Sequence, residues 1–271
     1  MKKPVLTYDL PSYTPRRLIL DLLDAEPELM AASKSLISAG EVFGFSGNQM
    51  RVALSRLHAD GLLDKPFRGS YCLSHSGLAM GREIERWRVL DESLVPWRGD
   101  WCAVLTQNLA EEGSTQLRAQ TRALQLRGLQ RWRPGLWVRP NNLSGGIDKL
   151  INDLTALGLD AIRGHFLIHA ADDSAALELR QLWDIPLLNT QYSQRLLALE
   201  SAASNTSNQS LSETLVQYME LGSDTIRLLL KDPLLPDELV HAEQRRSLVK
   251  SMRAYDEQGR KQWLQFIHAI K

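Results

Sequence analysis

The chain has 271 residues, 44% hydrophobic and 24% charged, with 32 basic and 32 acidic side chains. That balance suits a globular protein with a sizeable core and excludes a disordered chain. No apolar run approaches the ~18 residues of a membrane span, and prolines with Tyr8 and Asp9 interrupt any signal-peptide core near the N-terminus. Two cysteines, Cys72 and Cys102, without CxxC spacing argue against a disulfide framework or a cysteine zinc site and fit a reducing cytoplasm. The zero net charge is unevenly spread: residues 91–113 hold one basic and five acidic side chains, and 114–139 hold six arginines and no acid. Any electrostatic footprint must therefore be local.

Thr14-Pro15 supplies a cap and first-turn proline for a helix carrying Leu18, Ile19, Leu22 and Leu23 at helical spacing. An apolar stretch over 35–39 ends at Gly40. Ser46 is an N-cap candidate for a helix to about Asp60, and Gly61 offers the left-handed stop. Leu62-Leu63 and Tyr71–Leu73 bracket a hairpin, and a helix follows from His75 to Arg88. Helices followed by a small hairpin predict a winged helix-turn-helix over 1–92. Next come a strand over 101–106, a helix over 114–128, strands over 129–133 and 135–139, a helix over 147–157 and a strand over 165–169. This β-α-β-β-α-β order predicts a ferredoxin-like domain over 93–173. Helical periodicity over 177–183, 192–203, 211–230 and 245–270 predicts a helical domain over 174–271, with the small polar stretch 201–210 as a loop. The fold class is multidomain α+β.

The helix GNQMRVALSRLHAD over 47–60 is the most informative stretch. At 100° per residue Met50, Ala53, Leu54 and Leu57 share one face. The opposite face holds Asn48, Val52, Ser55 and Ala59, flanked by Arg51 and Arg56. A groove-reading helix needs small or polar residues outward to approach base edges, and flanking cations for phosphates. Lys65 and Arg68 in the hairpin are the wing candidates. The DNA-binding candidates are thus Asn48, Arg51, Val52, Ser55, Arg56, Lys65 and Arg68. The alternative is a solvated face on an ordinary amphipathic helix.

In the arginine-rich zone, Arg118 and Arg122 are one helical turn apart. Guanidinium forks suit phosphates or carboxylates, or else pair with Glu111, Glu112 and other acids of the chain. Enzyme signatures are poor. His165 and His169, if on one strand, lie about 13 Å apart, too far to share a metal. There is no HExxH, GxGxxG, Walker loop or GxSxG. No catalytic residue, metal site or cofactor is expected.

Phe43-Gly-Phe-Ser, Met50-Arg-Val-Ala-Leu-Ser-Arg-Leu57 and Asp60-Gly-Leu-Leu63 together resemble the PaaX family of bacterial repressors of phenylacetate degradation. So do Arg68-Gly-Ser-Tyr-Cys-Leu-Ser74 with Gly77, Trp97-Arg-Gly-Asp-Trp101, Pro134-Gly-Leu-Trp-Val-Arg-Pro140, Leu182-Trp-Asp184 and Asp232-Pro-Leu-Leu-Pro-Asp-Glu-Leu239. The chain departs from the family pattern after Leu239, where Val240-His-Ala-Glu-Gln replaces a Trp-Pro-Gly-like stretch, and at Leu129, which replaces an aromatic. The resemblance implies a winged helix, a Cas2-like ferredoxin fold and a helical C-terminal domain. It implies a repressor that leaves operator DNA when an acyl-CoA, such as phenylacetyl-CoA, binds. The expectation is a cytoplasmic, homodimeric, sequence-specific regulator of an aromatic-acid catabolic operon, with double-stranded operator DNA as partner and no membrane association. Arg118, Arg122, Arg127, Trp137 and Arg139 are the effector-site candidates. Two other readings stay open: a metal-dependent nuclease-like enzyme on the central domain, and an adaptor whose winged helix does not bind DNA.

Overall fold

The computed structural model describes residues 14–24, 30–106, 114–159, 162–169, 172–205 and 210–269. Helices and two antiparallel sheets make it an α+β protein. It divides into two compact units. One comprises Val89–Arg195 and Arg227–Leu248; the other comprises the described residues up to Arg88, Leu196–Ile226 and those from Val249. The first boundary lies close to the residue 92 expected from sequence, whereas the helices after residue 173 are divided between the two units.

In the unit that begins the described chain, α1 (Pro15–Asp24) buries Leu18, Ile19, Leu22 and Leu23. The Thr14 hydroxyl accepts the Arg17 N–H at 3.2 Å, as the cap predicts. A two-residue strand β1 (Ala31–Ala32) leads into α2 (Ser33–Val42), then α3 (Gly47–Ala59). A Cβ at Gly40 would stand 2.5 Å from Met50 Sδ, so only glycine lets α2 approach α3 this closely. The strands β2 (Leu63–Asp64) and β3 (Ser70–Leu73) form the expected hairpin, with β1 on the other side of β3. α4 (His75–Glu85) follows and runs into a 3-10 stretch, Arg86–Ser93, so the α-helix ends earlier than the sequence pattern predicts.

In the other unit β4 (Trp101–Thr106), α5 (Ser114–Leu126), β5 (Gln130–Arg133), β6 (Leu136–Pro140), α6 (Gly146–Ala156) and β7 (Ile162–Ile168) succeed one another in the order read from sequence. The sheet order is β5-β6-β4-β7, antiparallel throughout. Cys102, Val104 and Trp137 pack with Leu124 of α5 and Leu150 and Leu154 of α6 into one core. The last strand differs from the expected 165–169: it begins at Ile162, because backbone pairing to Thr106 extends the ladder through the polar Arg163 and Gly164.

The remaining helices are α7 (Asp173–Arg180), α8 (Ile185–Asn205), α9 (Leu211–Leu230) and α10 (Ala242–Ala269). The loop expected from residue 201 is instead helix as far as Asn205. Leu199 and Ala202 continue a buried face, and Ser204 bonds back to the Glu200 carbonyl at 3.0 Å, so small polar residues do not stop α8. Residues 206–209 lie outside the described residues.

After α9 the Asp232–Leu239 segment is anchored within its own unit. Tyr192 donates to Asp232 Oδ2 at 2.6 Å, and Asn142 Nδ2 donates to the Leu234 carbonyl at 2.8 Å. Burial raises the Asp232 carboxyl above the usual carboxylate range, opposed by Arg245, whose guanidinium is 3.8 Å away.

Candidate nucleic-acid interface

The helix α3 is held at both ends by short-range chemistry. Ser46 Oγ accepts the Gln49 N–H at 3.3 Å while Gln49 Oε1 accepts the Ser46 N–H at 2.7 Å, a reciprocal capping box. At the other end Gly61, at φ +72°, closes the helix. Leu62 N–H donates to Leu57 O, and Gly61 N–H to His58 O, each at 3.0 Å. Between these ends Met50, Ala53, Leu54 and Leu57 are buried in the core of α1, α2 and the hairpin.

Asn48, Arg51, Val52, Ser55 and Arg56 are all exposed on the rest of the same helix, with Val52 at 42%. Lys65 and Arg68 are exposed on the β2–β3 loop, and Lys65 Nζ stands 5.6 Å from the Tyr71 ring centroid. That loop is fixed against α2, because Ser33 N–H donates to the Gly69 carbonyl at 2.7 Å. Gly69 takes φ +83°. All seven sequence candidates therefore lie on solvent-facing parts of one helix and the hairpin that follows it. An exposed helix face with two guanidiniums and small side chains between them can meet phosphates and base edges together.

The structure adds Phe67, 66% exposed at the turn of the hairpin. An exposed apolar ring on a hairpin tip has the shape of a wedge for a groove. Its only sequence signal is an aromatic placed among the turn residues Asp64 to Ser70. Asp60 carries a different duty, pairing with Arg16 of α1 at 2.5 Å.

The arginine-rich zone behaves otherwise. Arg139 is buried: its guanidinium donates to the carbonyls of Arg127 and Pro140 and to Asn142 Oδ1, and burial lowers its pKa to about 10. Trp137 is buried in the sheet core. Arg127 faces Asp153 at 3.7 Å, and Arg133 pairs with Glu178, which also accepts the Trp132 indole N–H at 3.0 Å. Arg118 is exposed on α5 and Arg122 is half-buried one turn later. The zone thus does not converge on one site: Arg139 and Trp137 are enclosed in the fold, while Arg118 faces solvent. Glu111 and Glu112, considered as partners, lie outside the described residues.

A curated protein similar to this chain is the transcriptional repressor PaaX of Escherichia coli (strain K12). The two are 26% identical over 223 residues, spanning 77% of this chain and 67% of that protein. This likeness supports, at the level of the family, the resemblance carried by the motifs. Among solved structures, the fold is similar to that of the uncharacterized protein Rv0674 from Mycobacterium tuberculosis. The TM-score is 0.65 with 23% identity, over 95% of this chain and 98% of that one. No family model matches the chain.

Among the described residues no group of three or more His, Cys, Asp or Glu side chains is placed to hold a metal ion. None of the described helices is long and apolar enough to cross a membrane. His165 and His169 are both exposed. Cys102 is buried, its thiol pushed up to about 11, chiefly by burial, so it stays protonated at neutral pH and donates to Asn141 Oδ1 at 3.3 Å.

Proposed function

We propose that the chain is a sequence-specific transcriptional regulator that binds double-stranded operator DNA as a homodimer. In this reading α1 to α4 with β1 to β3 form a winged helix-turn-helix. α3 lies in the major groove, and the β2–β3 loop is the wing that reaches the backbone or minor groove. β4 to β7 with α5 and α6 form a ferredoxin-like, Cas2-like domain. The observation that carries the reading is the division of α3: Met50, Ala53, Leu54 and Leu57 secure it to the core, leaving Asn48, Arg51, Val52, Ser55 and Arg56 outward.

Similarity to a protein named as a transcriptional repressor supports regulation, and repression in particular. The finer reading is a cytoplasmic repressor of an aromatic-acid catabolic operon, released by an acyl-CoA such as phenylacetyl-CoA. Arg118, exposed on α5 with the half-buried Arg122 one turn later, suits the phosphates of such an effector better than the enclosed Arg139.

The test is selection of duplex DNA from a random pool by the purified full chain, followed by fluorescence anisotropy on the selected sequence over a range of salt. A two-fold-related pair of half-sites about one helical turn apart, or a multiple of it, is expected, with affinity falling steeply as salt rises. A pool that shows no enrichment overturns the reading and favours the adaptor.

A further inference from the structure

The unit that contains α3 also contains a cavity of about 70 Å³ between α1, the last turn of α4, α9 and α10. Its buried lining is mostly apolar and aromatic, Leu22, Met252, Tyr218, Tyr255 and Trp263 among them, with the polar Ser223 beside them. The Tyr218 and Tyr255 rings pack with centroids 4.6 Å apart. Two polar atoms in this lining, the Trp263 indole N–H and the Tyr218 hydroxyl, are buried without a hydrogen-bond partner among the described residues. Buried polar groups are almost always paired, so two orphans in one cavity mark it as a place suited to a polar ligand atom.

The charged side chains that also line it are matched to one another. Arg17 pairs with Asp21 at 2.7 Å, and Arg260 with Asp256 at 2.9 Å and Glu85 at 2.5 Å. Arg88 pairs with both Glu85 and Asp256. Asp24, whose carboxyl burial raises above its ordinary value, faces Arg260 Nη2 at 4.0 Å. A charged ligand would have to displace an existing pair, whereas an uncharged one would not.

We propose that this cavity binds a small uncharged molecule with an aromatic body and one hydrogen-bond acceptor, and that its occupancy alters the setting of α3. The acceptor takes the Trp263 N–H, the ring lies among Tyr218, Tyr255 and Trp263, and the Tyr218 hydroxyl closes over it. The path to α3 is short. Trp263 stacks on Phe43 with centroids 5.5 Å apart, Phe43 stacks on Phe45 at 6.3 Å, and Phe45 precedes the Ser46 cap. The binding site stands by itself, and its effect on DNA rests on the function proposed above. Such a ligand shifts the protein between states only through a difference in affinity for them.

The test is calorimetric titration of the full chain with phenol, with benzoate as the charged counterpart and no DNA present. Saturable 1:1 binding of phenol and at least tenfold weaker binding of benzoate are expected. Trp263→Phe keeps the ring and deletes the N–H, and should weaken phenol binding about tenfold. Gly222→Leu should abolish it by filling the space. The first added carbon there meets Met252 Cε at an ordinary 3.5 Å, and a thermal melt shows whether each variant is folded. The absence of saturable phenol binding, or binding unchanged in both folded variants, overturns the site. Equal affinity for benzoate overturns the uncharged class. With the selected operator in anisotropy, saturating phenol should change DNA affinity at least threefold in wild type and not in Gly222→Leu. Phenol binding with unchanged operator affinity overturns the coupling to α3. Failure to select any operator overturns the DNA reading, while the calorimetry still decides the cavity.

Discussion

Arginine serves opposite purposes in two regions of this molecule. On α3 and the hairpin after it, Arg51, Arg56 and Arg68 are exposed and make no ion pair among the described residues. Between residues 114 and 139, where arginines are denser and acids absent, Arg139 is enclosed and bonded to two carbonyls and an amide, and Arg127 and Arg133 face carboxylates of α6 and α7. The lesson concerns local charge counts. A run of cations becomes an anion site only when the fold has no other use for its donors. In α3 the buried face is filled by apolar side chains and the backbone is satisfied by its own helix and caps. By contrast, the carbonyl of Arg127 just after α5 and that of Pro140 at the end of β6 take donors from Arg139.

The comparison breaks most readily at Arg139. Arg139→Ala leaves the carbonyls of Arg127 and Pro140 and the Asn142 amide oxygen without their donor inside the protein. Urea unfolding should show a loss of about 3 kcal/mol or more. A loss under about 1 kcal/mol would return Arg139 to the class of dispensable surface arginines. On the other side, Arg51→Ala and Arg56→Ala should leave urea stability within about 0.5 kcal/mol of wild type. Each should lower the slope of log K against log salt by about 1 if the lost contact is to phosphate. Each should cost about 1–3 kcal/mol, with relaxed preference at one position, if it is to a base. Wild-type slopes and affinities in both variants would remove α3 from the interface.

Ser46→Ala sharpens the link between the α3 cap and its exposed face. Losing the Ser46 half of the capping box should cost about 1 kcal/mol of stability, read as a lower urea midpoint at unchanged m-value. Operator affinity should fall in parallel, because Asn48 and Arg51 sit in the first turns. The smallest effect is expected from Arg133→Ala. Arg133 and Glu178 are about half exposed, at 52% and 45%, where solvent and salt screen the pair. The urea midpoint should not move measurably. The Glu178 carboxyl, held below its usual range first by the Trp132 N–H and then by Arg133, should titrate closer to that range by NMR. The sign is that of a lowered carboxylate: its contribution is present above the ordinary carboxylate range and is lost as pH falls through the lowered value.

Much of the fold was legible because it is local. The helix over 47–59 follows from Ser46 and Gln49 at one end, Gly61 at the other and a 3.6-residue apolar period between. The alternation of strands and helices from Trp101 to Ile168 follows from runs of apolar residues separated by turn glycines. Less legible were the ends that depend on a partner. β7 begins at Ile162 because β4 offers backbone groups there, and α8 continues to Asn205 because Leu199 and Ala202 find a surface to bury against. The outward residues of α3 were readable from periodicity. Phe67 was not, since an aromatic in a turn reads equally as core or as tip until the hairpin is placed.

The sequence by itself determined the capped helix α3, the succession of strands and helices along the chain and the face that α3 keeps for solvent, because each depends on interactions among residues a few positions apart. Only the tertiary structure decided which arginines stay available and where a cavity forms. Arg139 is committed by the carbonyls of Arg127, just after α5, and of Pro140, at the end of β6, and the cavity draws its lining from α1, α4, α9 and α10, so that Leu22 and Trp263 meet across most of the chain. Burial and hydrogen-bond completion are properties of packed surfaces, and no spacing along the chain encodes which surfaces meet.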